Sequence, residues 1–201
     1  MAALAALALA GCLDGAGRAA PQAVAVADGS VAIAGPSGYC VDPAATRDGE
    51  QGAFVLLGGC AALSGAPDAP SPARNALLTA SVAANPGPGG RPDDRAVMLS
   101  RFFEAEEGRA ALARDGNAAS VAVMQTFERD GLFVLRARDR SAGLAPGLRD
   151  EYWRAIFEVN GRIVTASVIG FADAPLDEEA ALALLLEFAA RIRAASPGPE
   201  D

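Results

Sequence analysis

Three groups of neighbouring carboxylates are the first residues in this sequence whose types and spacing could support chemistry. They are Asp93-Asp94, Glu104-Glu106-Glu107 and Asp177-Glu178-Glu179. An acid pair can catalyse glycoside hydrolysis, and several carboxylates together can hold a divalent cation. The first and last groups stand where helices are expected to begin, and acids favour helix starts because they cap the chain and complement the dipole. We favour this structural interpretation for these two groups, expect the middle group to lie on a solvated helix end, and leave a cation site open.

A row of arginines is the only concentrated basic feature. Arg136, Arg138 and Arg140 alternate along a predicted strand, so their side chains should project from one face of it. Guanidinium groups in such a row could contact an anion or an acidic protein surface. The alternative, which we favour, is a solvated face that pairs with the chain's own excess of acids.

The residue types that are missing exclude several reaction classes. There is no His and no Lys, so all 17 basic residues are Arg. Histidine-dependent hydrolysis, histidine metal sites and the lysine-containing phosphate-binding loop are therefore excluded. The sequence predicts no enzyme, no cofactor and no metal site. The net charge of −8 also argues against nucleic-acid binding.

The N-terminus carries a short processing signal. Residues 1–11 contain only Ala, Leu and Gly after Met1, and Leu9-Ala10-Gly11-Cys12 resembles the lipobox of bacterial lipoproteins. The resemblance implies cleavage before Cys12 and lipid attachment to its thiol. The alternative is an Ala-rich N-terminus with an incidental cysteine. No basic residue precedes Arg18, so we expect the true start codon to lie upstream of Met1.

Lipidation of Cys12 would place the mature protein in the bacterial cell envelope, anchored to a membrane and facing the periplasm. Leu13 follows the cysteine, and the absence of Asp at this position favours the outer membrane over the inner one. Residues 12–29 are rich in Gly, Ala and Pro and are predicted to form a flexible tether.

Cys40 and Cys60 remain once Cys12 is lipidated. In an oxidising compartment a pair of cysteines predicts a disulfide, which would close a loop of about 20 residues and contribute about 3 kcal/mol. Two buried free thiols are the alternative. A simple hairpin register would not place the two cysteines directly opposite each other.

The globular head is predicted over residues 30–195, followed by a disordered tail at 196–201. Apolar runs predict strands at 31–34, 39–41, 53–57 and 76–82, and helical spacing from Asp93 predicts two short helices with a break at Gly108. Asp93 or Asp94 is the expected N-cap of the first.

Two hairpins and a closing helix complete the head. Asp130-Gly131 and Asn160-Gly161 are preferred two-residue turns between apolar runs. The second turn places Trp153 opposite Val168, with both side chains on a buried face, whereas Tyr152 falls on the other face. Residues 176–195 predict an amphipathic helix whose buried stripe runs along one side. The stripe comprises Leu182, Leu185, Leu186, Ala189 and Ile192.

These elements predict an α+β fold, with helices packed on an antiparallel sheet of about six to eight strands. The segments at residues 38–43 and 160–167, together with the closing helix, resemble the PsbP/Mog1-like α/β/α sandwich. That resemblance implies an accessory or assembly protein. We therefore expect a lipid-anchored, non-catalytic envelope protein that binds another envelope protein. The alternative is a lipoprotein that binds a small ligand or a cation and serves a transporter.

Overall fold

A computed structural model of the protein describes residues 20–87, 92–143, 145–196 and 198. The predicted signal peptide, the lipidation site Cys12 and most of the predicted tail lie outside the described residues. The described chain is α+β and consists of a two-stranded sheet, an eight-stranded antiparallel sheet and four α-helices. This confirms the predicted fold class, including the closing helix.

The strands and helices are numbered in chain order. A 3₁₀ turn, Ala118–Ser120, comes directly before β7. The strands are β1 (Ala23–Val26), β2 (Val31–Ala34), β3 (Tyr39–Val41), β4 (Arg47–Gly49), β5 (Gly52–Gly59), β6 (Ala76–Ala84), β7 (Val121–Arg129), β8 (Leu132–Asp139), β9 (Leu148–Val159) and β10 (Arg162–Phe171). The helices are α1 (Cys60–Ser64), α2 (Pro92–Glu104), α3 (Glu106–Leu112) and α4 (Glu178–Ala195).

The large sheet has the strand order β3-β5-β6-β10-β9-β8-β7, and β4 pairs with β5 beside β3. The two Gly turns fix both hairpins as predicted, because Asp130 and Asn160 adopt the positive φ that a tight hairpin turn requires. Trp153 pairs with Val168, and both are at most 3% exposed. Tyr152 pairs with Ile169 on the opposite face, also as predicted.

Two hydrophobic clusters lie on the two faces of the sheet. On one face, α4 and the β1–β2 hairpin cover a cluster that includes Leu78, Trp153 and Phe188. On the other face, α2 and α3 cover a smaller cluster around Phe103, Phe133 and Leu135. Alternation along β8 and β9 sends neighbouring side chains to different clusters, as in a sheet buried on both sides.

The prediction of a tether over residues 12–29 is wrong at its C-terminal end. Residues Ala23–Val26 form β1, which pairs with β2 over four residues, and Val26 is only 1% exposed. The alternation of small and branched residues in Ala-Val-Ala-Val suits a strand, although it resembles tether composition. The folded part therefore begins before Ser30.

The break between α2 and α3 is at Ala105 and not at Gly108 as predicted. Gly108 is buried inside α3, where a Cβ would lie 2.0 Å from the carbonyl oxygen of Phe102. The glycine is needed for close packing of two helices and does not end either of them. Likewise, α2 starts at Pro92, so Asp93 and Asp94 both lie inside the helix and neither is its N-cap.

The buried stripe of α4 is rotated from the predicted one. Leu184, Leu185, Phe188, Ala189 and Ile192 are the buried residues, whereas Leu182 and Leu186 are half-buried. The predicted tail also starts too early, since the Ser196 hydroxyl oxygen accepts a hydrogen bond from the Ala32 amide at 3.1 Å. This contact joins the end of α4 to β2.

Cys40 and Cys60 form a disulfide, with their Cα atoms 4.8 Å apart. Cys40 lies in β3, and its cross-strand neighbour in β5 is Gly58. Cys60 comes two residues later, at the first turn of α1, where its amide donates a hydrogen bond to Gly38. The bridge thus joins a strand to a helix start, and the two cysteines are not directly opposite, as expected.

Candidate functional site

The three arginines of the predicted row form ion pairs with acids of β9 and α4. The Arg136 guanidinium lies 2.6 Å from Glu151 and also contacts Glu178, and the Arg138 guanidinium lies 2.8 Å from Glu151. Arg140 is the most exposed, with its guanidinium 4.0 Å from Asp150. These contacts are those of a face paired with the chain's own acids. Binding of an external anion there stays a prediction.

Glu151 is the centre of this ion-pair ladder. Burial acts to raise the pKa of its carboxyl, but hydrogen bonds and charge from Arg136 and Arg138 outweigh it and hold the pKa below the ordinary 4.5. The Arg136 guanidinium also lies 5.8 Å from the centre of the Trp153 ring. The ion pairs of Glu151 with Arg136 and Arg138 join β9 to β8, which favours a structural role.

The carboxylate groups are spread over separate elements. The Asp177 side chain accepts a hydrogen bond from the Ala180 amide at 2.7 Å and caps α4, as acids at a helix start do. Glu106 and Glu107 lie in the first turn of α3. Among the described residues, no three His, Cys, Asp or Glu side chains come together in a way that could hold a metal ion.

Sequence reasoning did not predict a groove that lies between α2 and the sheet and has a volume of about 440 Å³. We call it the α2 groove. Its walls and floor are mainly apolar, and it crosses the sheet near the Asp130-Gly131 and Asn160-Gly161 turns. The apolar lining residues are Pro86, Ala96, Met98, Leu99, Phe133, Ile156, Phe157 and Ile163.

Polar groups lie at the rim of the α2 groove and contact one another. The Arg95 guanidinium lies 3.4 Å from Glu158, whose carboxylate also accepts a hydrogen bond from Asn85. The Arg193 guanidinium donates hydrogen bonds to the carbonyl oxygens of Asp130 and Gly131, both at 2.9 Å. The floor itself offers no ionisable side chain, so recognition there depends on apolar contact.

Exposed apolar side chains lie on α2 and on β7, and one of them, Met98, lines the groove. Val97, Met98 and Phe102 on α2 are 53%, 55% and 43% exposed, and Met124 on β7 is 42% exposed. The two elements touch, since the Ser100 and Thr126 hydroxyl groups are 3.0 Å apart. We call these four side chains and the α2 groove together the α2 surface. Among the described residues, they are the only large apolar side chains that are exposed to this degree.

One signal in the sequence could have pointed to this surface. Apart from Met1, the chain has only two methionines, and both belong to the α2 surface. Flexible, polarisable methionines are frequent at surfaces that adapt to partners. The packing of α2 also explains which of its positions are exposed, because Phe103 lies on the side of the helix that packs on the sheet.

Comparison with known proteins identifies no relative: no protein-family model, no curated protein and no solved structure matches the chain. Among the described residues, no helix has the length and apolar character needed to cross a membrane. The lipobox and the PsbP/Mog1-like resemblance therefore stay predictions.

Proposed function

We propose that this chain is a lipid-anchored, non-catalytic accessory protein of the bacterial envelope that binds another envelope protein through the α2 surface. Residues 9–12 support the location, since Leu-Ala-Gly-Cys matches the lipobox. The lack of His and Lys, together with carboxylates that cap helices or pair with arginines, supports a non-catalytic role.

The observation that carries the proposal is the concentration of exposed apolar side chains on two touching elements. Burial of Val97, Met98, Phe102 and Met124 by a partner would be favourable, and Met98 also lines an open groove whose lining is mainly apolar. Exposed apolar patches rimmed by polar residues are typical of protein-binding sites. A large apolar anchor near the centre of such a patch contributes most of the binding energy.

A site-specific photocrosslinker at position 98 tests the surface in intact cells. We expect a defined adduct with one envelope protein, and we expect Phe102→Arg to reduce its yield at least tenfold, because it places a charge in the apolar contact. A crosslinker at Ala111, exposed on α3, is the matched control and should give no such adduct. Equal labelling from both positions, or an adduct that Phe102→Arg leaves unchanged, would contradict the proposal.

The anchor is tested separately. Mass spectrometry of the native protein should find a lipid on Cys12, and Cys12→Ala should move the protein out of the membrane fraction. An unmodified Cys12 thiol, or a Cys12→Ala variant that remains with the membrane, would exclude lipid anchoring.

A second candidate function is supported by the volume of the α2 groove. Its 440 Å³ is within the range of about 300–1,000 Å³ of small-molecule sites, and its lining is similarly apolar. The protein would then bind a small apolar ligand for a transporter. Leu99→Trp, which fills the groove, should abolish co-purification of such a ligand, whereas Val97→Ala outside the groove should not.

A further inference from the structure

Arg154 is a half-buried arginine of β9 that has no acidic partner in the part of the chain that the structure describes. Five other half-buried arginines form ion pairs with carboxylates of the chain, and these are Arg74, Arg95, Arg136, Arg138 and Arg162. Arg154 instead donates a hydrogen bond from its Nε to the neutral Ser167 hydroxyl, at 3.0 Å. A cation that is partly removed from water and has no counter-ion is unfavourable, so this position favours an anion from outside the chain.

Two buried side chains hold the Arg154 guanidinium in position. Ser167 is 3% exposed and accepts the hydrogen bond from Nε. The central carbon of the guanidinium lies 4.9 Å from the centre of the Tyr152 ring, and Tyr152 is 7% exposed. Because Nε is occupied, the edge formed by the two terminal Nη atoms is left for another group. Such an edge can bind two oxygens of one carboxylate or phosphate, so the arginine is pre-organised for an anion.

The charges around Arg154 favour a ligand with a single negative charge. Asp139 lies near this part of the sheet, but its carboxylate is paired with Arg114 at 3.1 Å. Glu158, further along β9, is paired with Arg95 at 3.4 Å. The chain as a whole has a net charge of −8. A carboxylate would balance the charge of Arg154, whereas a phosphate dianion would bring an additional negative charge to an acidic chain.

The α2 groove lies next to Arg154 along β9. Arg154 and Ile156 project to the same side of the sheet because they are two residues apart, with about 7 Å between their Cα atoms. Ile156 and its cross-strand neighbour Phe133 both line the groove. The Arg154 guanidinium leans over Tyr152, away from Ile156, so a ligand must span this distance before its apolar part enters the groove. A short carboxylate such as acetate would not reach it.

We propose that Arg154 and the α2 groove together bind a long-chain aliphatic carboxylate, with its carboxylate on the Arg154 guanidinium and its chain in the groove. This inference rests on the second candidate function, the binding of a small apolar ligand, and adds an anionic head group to that ligand. It does not require a protein partner at the exposed side chains of α2 and β7. A positioned cation without a counter-ion and an adjacent apolar groove match the two halves of such an amphiphile.

Isothermal titration calorimetry with decanoate and the uncharged decanol tests the proposal. The full chain carries Cys12→Ala, so that no detergent competes for the groove. We expect decanoate to bind about tenfold or more tightly than decanol, because only decanoate accepts charged hydrogen bonds from Arg154. Acetate should give no measurable binding. This comparison uses the chain with Arg154 in place, so it does not depend on how a substitution affects folding.

Substitution of Arg154 supplies the second measurement. Arg154→Gln should weaken decanoate binding about tenfold or more and leave decanol binding within about twofold. Arg191→Gln removes an exposed arginine of α4, on the other side of the sheet, and is the matched control that should change neither affinity. Leu99→Trp should abolish the binding of both ligands. Equal urea-unfolding midpoints show that the variants are folded.

The outcomes separate the carboxylate site from the groove itself. Decanol binding as tightly as decanoate, or an Arg154→Gln variant with unchanged decanoate affinity, would overturn the role of Arg154 and leave an apolar ligand site in the groove. A chain that binds neither decanoate nor decanol would overturn this inference together with the second candidate function. Decyl phosphate binding more tightly than decanoate would overturn the assignment of a carboxylate.

Discussion

At the scale of single residues, Glu151 gives the fold a defined dependence on pH. Its pKa is held below the ordinary 4.5, so the native state favours the ionised carboxylate more than the unfolded chain does. The stabilisation is therefore complete above the ordinary pKa and is lost as the pH falls through the lower native value. Folding stability should decrease below about pH 4.5 for this reason.

We predict that Glu151→Gln lowers the free energy of unfolding by about 1–2 kcal/mol at pH 7, because the hydrogen bonds to Arg136 and Arg138 lose their ionic character. The difference from the wild-type chain should shrink as the pH is lowered from 5 to 3. Urea unfolding at several pH values measures it. Glu50→Gln, at an exposed turn, is the control and should follow the wild-type curve. A difference that stays constant with pH would show that charge is not the cause.

Gly108 is a second residue with a definite role. We predict that Gly108→Ala destabilises the fold by about 2 kcal/mol. The destabilisation from overpacking exceeds the stabilisation from the higher helix propensity of alanine. The added Cβ would meet backbone atoms of Phe102 and Phe103, which cannot move aside as a flexible side chain can. The measurement is urea unfolding at neutral pH.

The control for Gly108 is Gly49→Ala. A Cβ at Gly49 would have no heavy atom within 4 Å, so the free energy of unfolding should change by less than about 0.5 kcal/mol. A Gly108→Ala variant as stable as Gly49→Ala would contradict the close packing of α2 against α3.

At the scale of elements, the orientation of α4 can be measured by mutation. Phe188 is fully buried, whereas Leu182, which belonged to the predicted stripe, is half-buried. We predict that Phe188→Ala costs about 3–5 kcal/mol and that Leu182→Ala costs less than half as much. Chemical denaturation of the two variants decides between the two stripes. A larger loss for Leu182→Ala would favour the predicted stripe over the observed one.

The elements that could be predicted from sequence are those with local causes. The Asp130-Gly131 and Asn160-Gly161 turns fix strand ends and register within a few residues, so both hairpins were predictable with their facing pairs. The short strands β1 and β4 form local hairpins with β2 and β5, but they were missed because their residue types do not mark strands. Residues Arg47–Gly49 of β4 have no apolar residue that would mark a strand, and they pair only across a turn with β5.

The α2 surface was harder to predict, because helical periodicity does not indicate how much of an apolar face a protein leaves uncovered. Val97, Met98, Leu99 and Phe102 all fit a buried helix face in sequence. Only the packing of α2 on the sheet decides that Leu99 turns inwards, whereas the other three are exposed.

At the scale of the whole molecule, the β1–β2 hairpin is part of the fold. We predict that a chain beginning at Val31 is less stable than one beginning at Ala20 by at least about 3 kcal/mol, because it loses burial of Val26 and the hydrogen bonds of β1. Thermal and urea unfolding of the two chains measure the difference. Equal stabilities would place the start of the domain near Ser30, as composition alone predicts.

The position of the disulfide has a mechanical consequence for a protein held by its N-terminal end. The Pro21 carbonyl accepts a hydrogen bond from the Val41 amide, one residue after Cys40. A pull on the chain ahead of Ala20 would therefore load β3 first. If only the hydrogen bonds between β3 and β5 held β3 in place, the strand could separate from the sheet under force. The Cys40–Cys60 disulfide instead transmits the force from β3 to α1. Once the single Pro21–Val41 hydrogen bond breaks, the disulfide would still hold β3 to the rest of the domain.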